Sequence, residues 1–175
     1  MSAQDSPLVC DATAVFNLGH RGSLDSLAER MRDERQLLVT PDVVKEVSQD
    51  DPAYYGSFLS RHFMINAEPL TALGKIAEAS GDVSLDVGEI SVISLCLQKG
   101  WTACLDETSA RRVAKSLGLN LTGTFGLLKH AIEKRWLTDD ECMQAVVRMK
   151  TGGFFCPKVL ANDDFADYYA RLRQN

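Results

Sequence analysis

Apolar positions come in two patterns that alternate along the chain: short unbroken runs, and residues at helical spacing. Leu8-Val9-Cys10, Leu37-Leu38-Val39, Phe63-Met64-Ile65, Thr102-Ala103-Cys104-Leu105 and Leu119-Asn120-Leu121 read as strands. Helical spacing covers 23–33, where Leu24, Leu27, Ala28 and Met31 share a face, and then 70–79, 107–117, 124–135, 139–150 and 162–172. A further helix runs from Asp86 to Lys99 with Val87, Ile90, Ile93 and Leu97 on one side and Gly100 as its stop; Gly118 ends the 107–117 helix in the same way. Thr40-Pro41-Asp42 opens another, with Thr40 as cap, Pro41 at the first helical position and Asp42 at the positive end of the dipole. Unbroken apolar strands separated by helices predict an α/β fold, a three-layer α/β/α sandwich around a central parallel sheet. In such sheets ligands bind beyond the carboxyl ends of the strands, near the point where strand order reverses. The residues that follow each strand are therefore the candidates for chemistry.

Composition narrows the class. A chain of 175 residues with 45% hydrophobic and 25% charged residues fits one globular domain over 1–175 and excludes disorder and collagen. The net charge of −5 argues against a protein that coats nucleic acid. That total is uneven: residues 1–98 carry 7 Lys and Arg against 15 Asp and Glu, and residues 99–175 carry 12 against 9. One half supplies acids and the other bases, which hints at a mixed-charge site. Five cysteines, with no paired spacing and only the scattered His20, His62 and His130 beside them, predict buried thiols rather than zinc ligands. Unpaired thiols point to a reducing, cytoplasmic setting, and neither a signal peptide nor a membrane-spanning run is expected.

Four acids stand at the expected strand ends and helix starts. Asp11 follows the first strand and Asp106 the fourth, Glu46 lies in the first two turns of the Thr40 helix, and Glu89 lies in the first turn of the Asp86 helix. In a parallel sheet these ends share one edge. Two unit charges about 4 Å apart repel by roughly 4 kcal/mol at an effective dielectric of about 20. Converging carboxylates therefore need raised pKa values, a basic partner or a metal. Hard oxygen donors suit Mg²⁺ or Mn²⁺, and such ions support phosphodiester hydrolysis. Each acid also has a purely structural reading. Asp11 can cap the helix after it, Asp86 and Glu89 fit a capping box, Asp106 can cap through Ser109, and Glu46 can face solvent.

Taken in order, Leu8 to Thr13, Thr40 to Glu46, Leu85 to Glu89, Leu105 to Arg111 and Gly123-Thr124-Phe125-Gly126-Leu127-Leu128 resemble the PIN-domain superfamily of metal-dependent ribonucleases, in its VapC-like, uncharacterised prokaryotic branch. The resemblance covers about 8–137. It implies a parallel sheet between helices and a Mg²⁺- or Mn²⁺-dependent endoribonuclease that leaves a 5′-phosphate and a 3′-hydroxyl. It also implies an RNA substrate, an antitoxin partner of a toxin–antitoxin pair, and a homodimer. Carried over residue by residue, Asp11, Glu46, Glu89 and Asp106 match the acidic quartet that holds metal, and Thr13 matches the hydroxyl that supports the first acid. The third acid is more often Asp in the superfamily, so Glu89 is one methylene longer; Asp86, one turn earlier, is placed to assist. Residues 50–84 read as a helical insertion forming a clip or a dimer surface, and 138–175 as a C-terminal helical extension.

Other residues carry two readings. Arg111, Arg112 and Lys115 stand as RNA-phosphate contacts or as structural and solvated cations, and Arg111 fits a buried structural position. Thr124 supports the site or caps its helix. Trp101, Trp136, Tyr168 and Tyr169 read first as packing. The competing function is a catalytically silent PIN-like module that binds protein or RNA. A dehalogenase-type phosphatase would need a second Asp where Thr13 stands.

Overall fold

The computed structural model describes residues 6–153. Its strands are β1 (Leu8–Cys10), β2 (Leu37–Val39), β3 (Met64–Ile65), β4 (Thr102–Cys104) and β5 (Leu121–Thr122). They form one sheet in the order β3-β2-β1-β4-β5, and every pair is parallel. Helices cover both faces, giving the three-layer α/β/α sandwich. This explains the unbroken apolar strands: Leu8, Val9, Cys10, Val39, Ala103 and Cys104 each have no exposed surface.

After β1 the chain forms α1 (Ala12–Phe16), a π-helical turn (Asn17–Arg21) and α2 (Asp25–Glu34). After β2 come α3 (Pro41–Asp50) and α4 (Pro52–His62); after β3, α5 (Leu73–Ser80) and α6 (Val87–Lys99). After β4 comes α7 (Thr108–Ser116), and after β5, α8 (Thr124–Glu133) and α9 (Asp139–Thr151). Successive strands run outward from β1 to β3, and the chain then returns across the sheet to place β4 on the other side of β1. The strand order thus reverses between β1 and β4. Residues 50–84 hold α4, β3 and α5, so they supply an edge strand as well as helices. The helix expected over 162–172, with Tyr168, Tyr169 and Cys156, lies outside the described residues.

Local rules set most helix ends. Thr40 accepts from Val43 N–H and Pro41 opens α3; Asp86 and Glu89 form a reciprocal capping box on α6; Gly100 ends α6 at φ +69°. Two expectations need correction. The α6 side chains do not divide into one buried and one exposed face: Val87 is 60% exposed, while Glu89, Ser91, Val92, Ser94, Leu95 and Cys96 are buried with Ile93. The helix packs on β1, β4, α3 and α5 together, so most of its circumference is covered. Its polar residues are satisfied locally, with Ser91 Oγ donating to Gly88 O at 2.8 Å and Ser94 Oγ to Thr71 O at 2.8 Å. The last strand begins at Leu121 rather than Leu119, because Leu119 N–H is committed to Ala114 O, closing the end of α7 around Gly118 at φ +74°.

The cysteines at 10, 96, 104 and 142 are buried free thiols. Among the described residues no helix is long and apolar enough to cross a membrane.

Candidate functional site

The reversal of strand order puts the ends of β1 and β4 side by side, and Asp11 joins them. Its backbone N–H donates to Cys104 O at 3.1 Å, its Oδ1 accepts from Ala14 N–H at 2.7 Å, and its Oδ2 accepts from Asp106 N–H at 3.2 Å. Asp11 is therefore both the cap of α1 and a clip between neighbouring strands, and it is buried. The capping reading and the site reading are the same geometry.

Asp106 is held differently from the sequence expectation. Glu107, not Asp106, precedes α7, and no side chain caps that helix. Asp106 reaches instead to α8: Oδ1 accepts from Thr124 N–H at 2.8 Å, and Oδ2 accepts from the Thr124 hydroxyl and from Asn17 Nδ2 at 3.3 Å. Asn17 Nδ2 also donates to Thr124 Oγ1 at 3.1 Å. Asn17 and Thr124 are fully buried, so this pair fixes the carboxylate from behind. Asn17 escaped the sequence reading; its one signal is an amide set in the apolar run Val15-Phe16-Asn17-Leu18.

The other two acids approach from α3 and α6. Glu89 closes the capping box, its Oε2 accepting from Asp86 N–H at 3.0 Å while Asp86 Oδ1 accepts from Glu89 N–H at 2.7 Å. Glu46 lies against Gly88: a Cβ there would stand 3.0 Å from Glu46 Oε2 and 3.2 Å from Asp86 Oδ1. Asp11, Thr13, Glu46, Asp86, Glu89 and Glu107 line one cleft of about 20 Å³, room for about one water-sized sphere. Glu107 is thus part of the lining, while Asp106 adjoins it through its contact with Asp11.

Burial and mutual repulsion act on these groups together. Burial first, and then the Asp106 charge, hold the Asp11 carboxyl well above the usual carboxylate range. Burial raises Asp106 as well, against the opposing hydrogen bonds from Thr124. Glu46 is raised by burial and by Asp86, with Arg21 opposing. Glu89 is pushed up to about 7 by burial, with Asp86, Glu107 and Glu46 adding and the Asp86 N–H opposing. A lining of five carboxylates and the Thr13 hydroxyl under this electrostatic load fits a hard divalent cation in donor type. The carboxylates line the cleft without closing on a point: among the described residues no three His, Cys, Asp or Glu side chains form a ready ligand set.

The load predicts a stability effect in metal-free protein. Between the ordinary glutamate pKa and about 7, the folded chain keeps a proton on Glu89 that the unfolded chain has released. Stability then falls as pH rises through that window, by up to about 3 kcal/mol. Gln keeps the acceptor for Asp86 N–H and carries no charge. Glu89→Gln is therefore expected to melt several degrees above wild type at pH 8, the gap closing by pH 4.5, as read by thermal denaturation in EDTA. A variant no more stable than wild type at pH 8 would show that Glu89 carries no such load.

The expected basic contacts separate. Arg111 Nη1 donates to Leu105 O and Thr122 O, both at 2.7 Å, tying the ends of β4 and β5 together. Arg112 and Lys115 are exposed on α7. Arg21, which the sequence reading did not single out, lies 4.3 Å over the Phe16 ring and acts on Glu46.

Comparison with known proteins places this arrangement. The fold is similar to the crystal structure of PAE2754 from Pyrobaculum aerophilum, with a TM-score of 0.52 and 13% identity over 74% of this chain and 98% of that one. No curated protein matches the sequence. The family model DUF3368, a PIN domain, matches residues 7–164, beyond the 8–137 over which motifs were legible. That match takes in every strand of the sheet and each acid at its edge, and the chain belongs to the PIN domain family.

Proposed function

We propose that the chain is a Mg²⁺- or Mn²⁺-dependent endoribonuclease whose site is the acidic edge between β1 and β4. PIN domains are a nuclease-type superfamily, generally dependent on divalent metal and generally nucleic-acid binding. The observation that carries the finer reading is the gathering of Asp11, Glu46, Glu89 and Asp106, from four separate elements, at the point where strand order reverses.

Asp11 and Asp106 would be the principal ligands, with Glu46 and Glu89 completing the shell and Asp86 and Glu107 at its rim. When bound, the cation supplies water activation and charge stabilisation at phosphorus. The chain's own contribution is rigidity. Asp11 is fixed by two backbone N–H groups, Asp106 by Thr124 and Asn17, and Glu89 by its capping box. Hydrolysis adds water across the P–O3′ bond: hydroxide joins phosphorus, the 3′-oxygen leaves with a proton, and the products carry a 5′-phosphate and a 3′-hydroxyl. The narrower readings, a toxin held by an antitoxin and a homodimer, rest on the VapC-like resemblance alone. Co-purification with the product of an adjacent gene tests the first.

The direct test is cleavage of single-stranded RNA with Mn²⁺ by wild type and by Asp11→Asn. Cleavage that needs Mn²⁺ and is lost in the variant is expected. Equal cleavage in both would overturn the assignment, and metal bound without any cleavage would favour the silent module.

A further inference from the structure

Helix α4 and the turn after α1 share a column of rings that the proposed mechanism does not use. Phe58 and Tyr54, one turn apart on α4, stack with centroids 5.7 Å apart and planes 12° from parallel. His20, from the turn after α1, continues the column on Tyr54 at 4.0 Å and 5°. Tyr55, fully buried, braces all three edge-on, at 89° to Tyr54, 89° to Phe58 and 90° to His20. Phe58 is buried and Tyr54 half-buried, but His20 is exposed. Among the described residues no ring covers the outer face of His20.

The backbone is shaped for this contact. Gly19 leaves the helical region at ψ −124°, which breaks the turn and presents His20. A Cβ at Gly19 would stand 3.0 Å from Tyr55 Cε1 and 3.2 Å from Tyr54 Cε1, so a side chain there would make the two tyrosines give way slightly. The column is also tied to the site. Arg21, next in the chain, acts electrostatically on both Glu46 in the cleft and Tyr55 in the column.

We infer that His20 is a stacking subsite for a nucleobase of the RNA strand, seated on the Tyr54–Phe58 column, with Arg21 beside it for the adjoining phosphate. This rests on the ribonuclease reading. The charge distribution favours stacking here: the chain is net acidic and the cleft more so, so the strand gains from a contact that does not depend on its phosphates. A base on an aromatic column is such a contact, and it tolerates any base because each has a π face. Three near-parallel rings whose last member faces solvent present that surface ready-made.

The test compares wild type, His20→Ala and His20→Phe in single-turnover cleavage of single-stranded RNA with Mn²⁺. The half-saturating protein concentration is expected to rise about 5- to 100-fold in His20→Ala, with the maximal rate little changed, and to return to within about 3-fold of wild type in His20→Phe. The slope of affinity against salt is expected to stay constant, since no phosphate contact is lost. In the Asp106→Asn background, RNA containing 2-aminopurine is expected to be quenched on binding when His20 is retained or carries the His20→Phe substitution, and not with His20→Ala. Cleavage by wild type with unchanged half-saturation or unchanged quenching in His20→Ala overturns the stacking subsite and leaves the ribonuclease reading standing. Equal losses in His20→Ala and His20→Phe overturn it too, pointing to an imidazole hydrogen bond. No cleavage or binding of RNA by wild type overturns both.

Discussion

Asp106→Asn is expected to lower RNA cleavage by about 10²–10³-fold while the protein still folds, because the substitution removes a charge that the surrounding structure can replace with hydrogen bonds. Asn keeps an oxygen for Thr124 N–H, now 2.8 Å from Asp106 Oδ1. The new amide group would replace Oδ2, which today accepts from Asn17 Nδ2 and the Thr124 hydroxyl. Both neighbours can reverse. The hydroxyl rotates to accept, and Asn17 turns its amide so that Oδ1, a buried oxygen without a partner, accepts instead. A buried carboxylate with a raised pKa is removed in the same step. Thermal denaturation is therefore expected to show a melting temperature within a few degrees of wild type, and single-turnover assays the loss of rate. Activity within a factor of three of wild type would remove Asp106 from the site. Collapse of the fold would show that the polar pair behind it cannot reverse.

What the sequence made legible was what depends on neighbours three or four residues apart. The Thr40-Pro41 start of α3, the Asp86–Glu89 box and the Gly100 stop are local hydrogen-bond rules, and all three appear in the structure. The four acids were legible by one step more, since parallel strands bring their carboxyl ends to one edge. What stayed hidden depends on partners chosen by the completed fold. Asp106 serves α8 rather than the helix that follows it, an attachment that no spacing within its own segment encodes. His20 meets Tyr54 only because α4 packs beside the turn after α1. The near-complete burial of α6 has the same origin: its residues show ordinary amphipathic spacing, and the packing of α3 and α5 around it supersedes that.

The basic surplus of residues 99–175 shows how composition can mislead in the same way. Arg111 holds two backbone carbonyls, Arg148 donates to Gly22 O through Nε at 3.1 Å and Nη2 at 3.0 Å, and Lys134 and His130 both meet Glu34. Arg148, Lys134 and His130 thus fasten the second half of the chain to the first, and Arg111 fastens two strand ends within the second half. Arg112 and Lys115 are exposed on that side, where the proposed strand would find phosphate contacts, and Arg21 would supply one from the acidic half.

Gly123→Ala is expected to be strongly damaging, because it adds a methyl group directly against Asp106 and the carbonyl of Leu105. Gly123 is extended, at φ −165° and ψ −179°, so backbone conformation is open to alanine and only space opposes it. There is none. The new Cβ would stand 2.7 Å from Arg111 Nη1, 2.8 Å from Asp106 Oδ1 and 2.8 Å from Leu105 O. Leu105 O is backbone, and the Arg111 nitrogen is already bonded to it and to Thr122 O. Relief therefore requires the start of α8 to draw away from β4, which breaks the Thr124–Asp106 contact, or Arg111 to release the two carbonyls. Overpacking and the lost bonds together are expected to cost about 2–4 kcal/mol, a fall of roughly 5–15 °C in melting temperature. Cleavage is expected to fall more than 10-fold below the melting transition, because the displaced group is the support of Asp106. Gly56→Ala provides the contrast. Gly56 is exposed within α4 with nothing within 4 Å of its added Cβ, and the same substitution there is expected to stabilise by about 0.5–1 kcal/mol. If Gly123→Ala melted and cleaved like wild type, α8 could shift without cost, and Thr124 would not be what holds Asp106 in place.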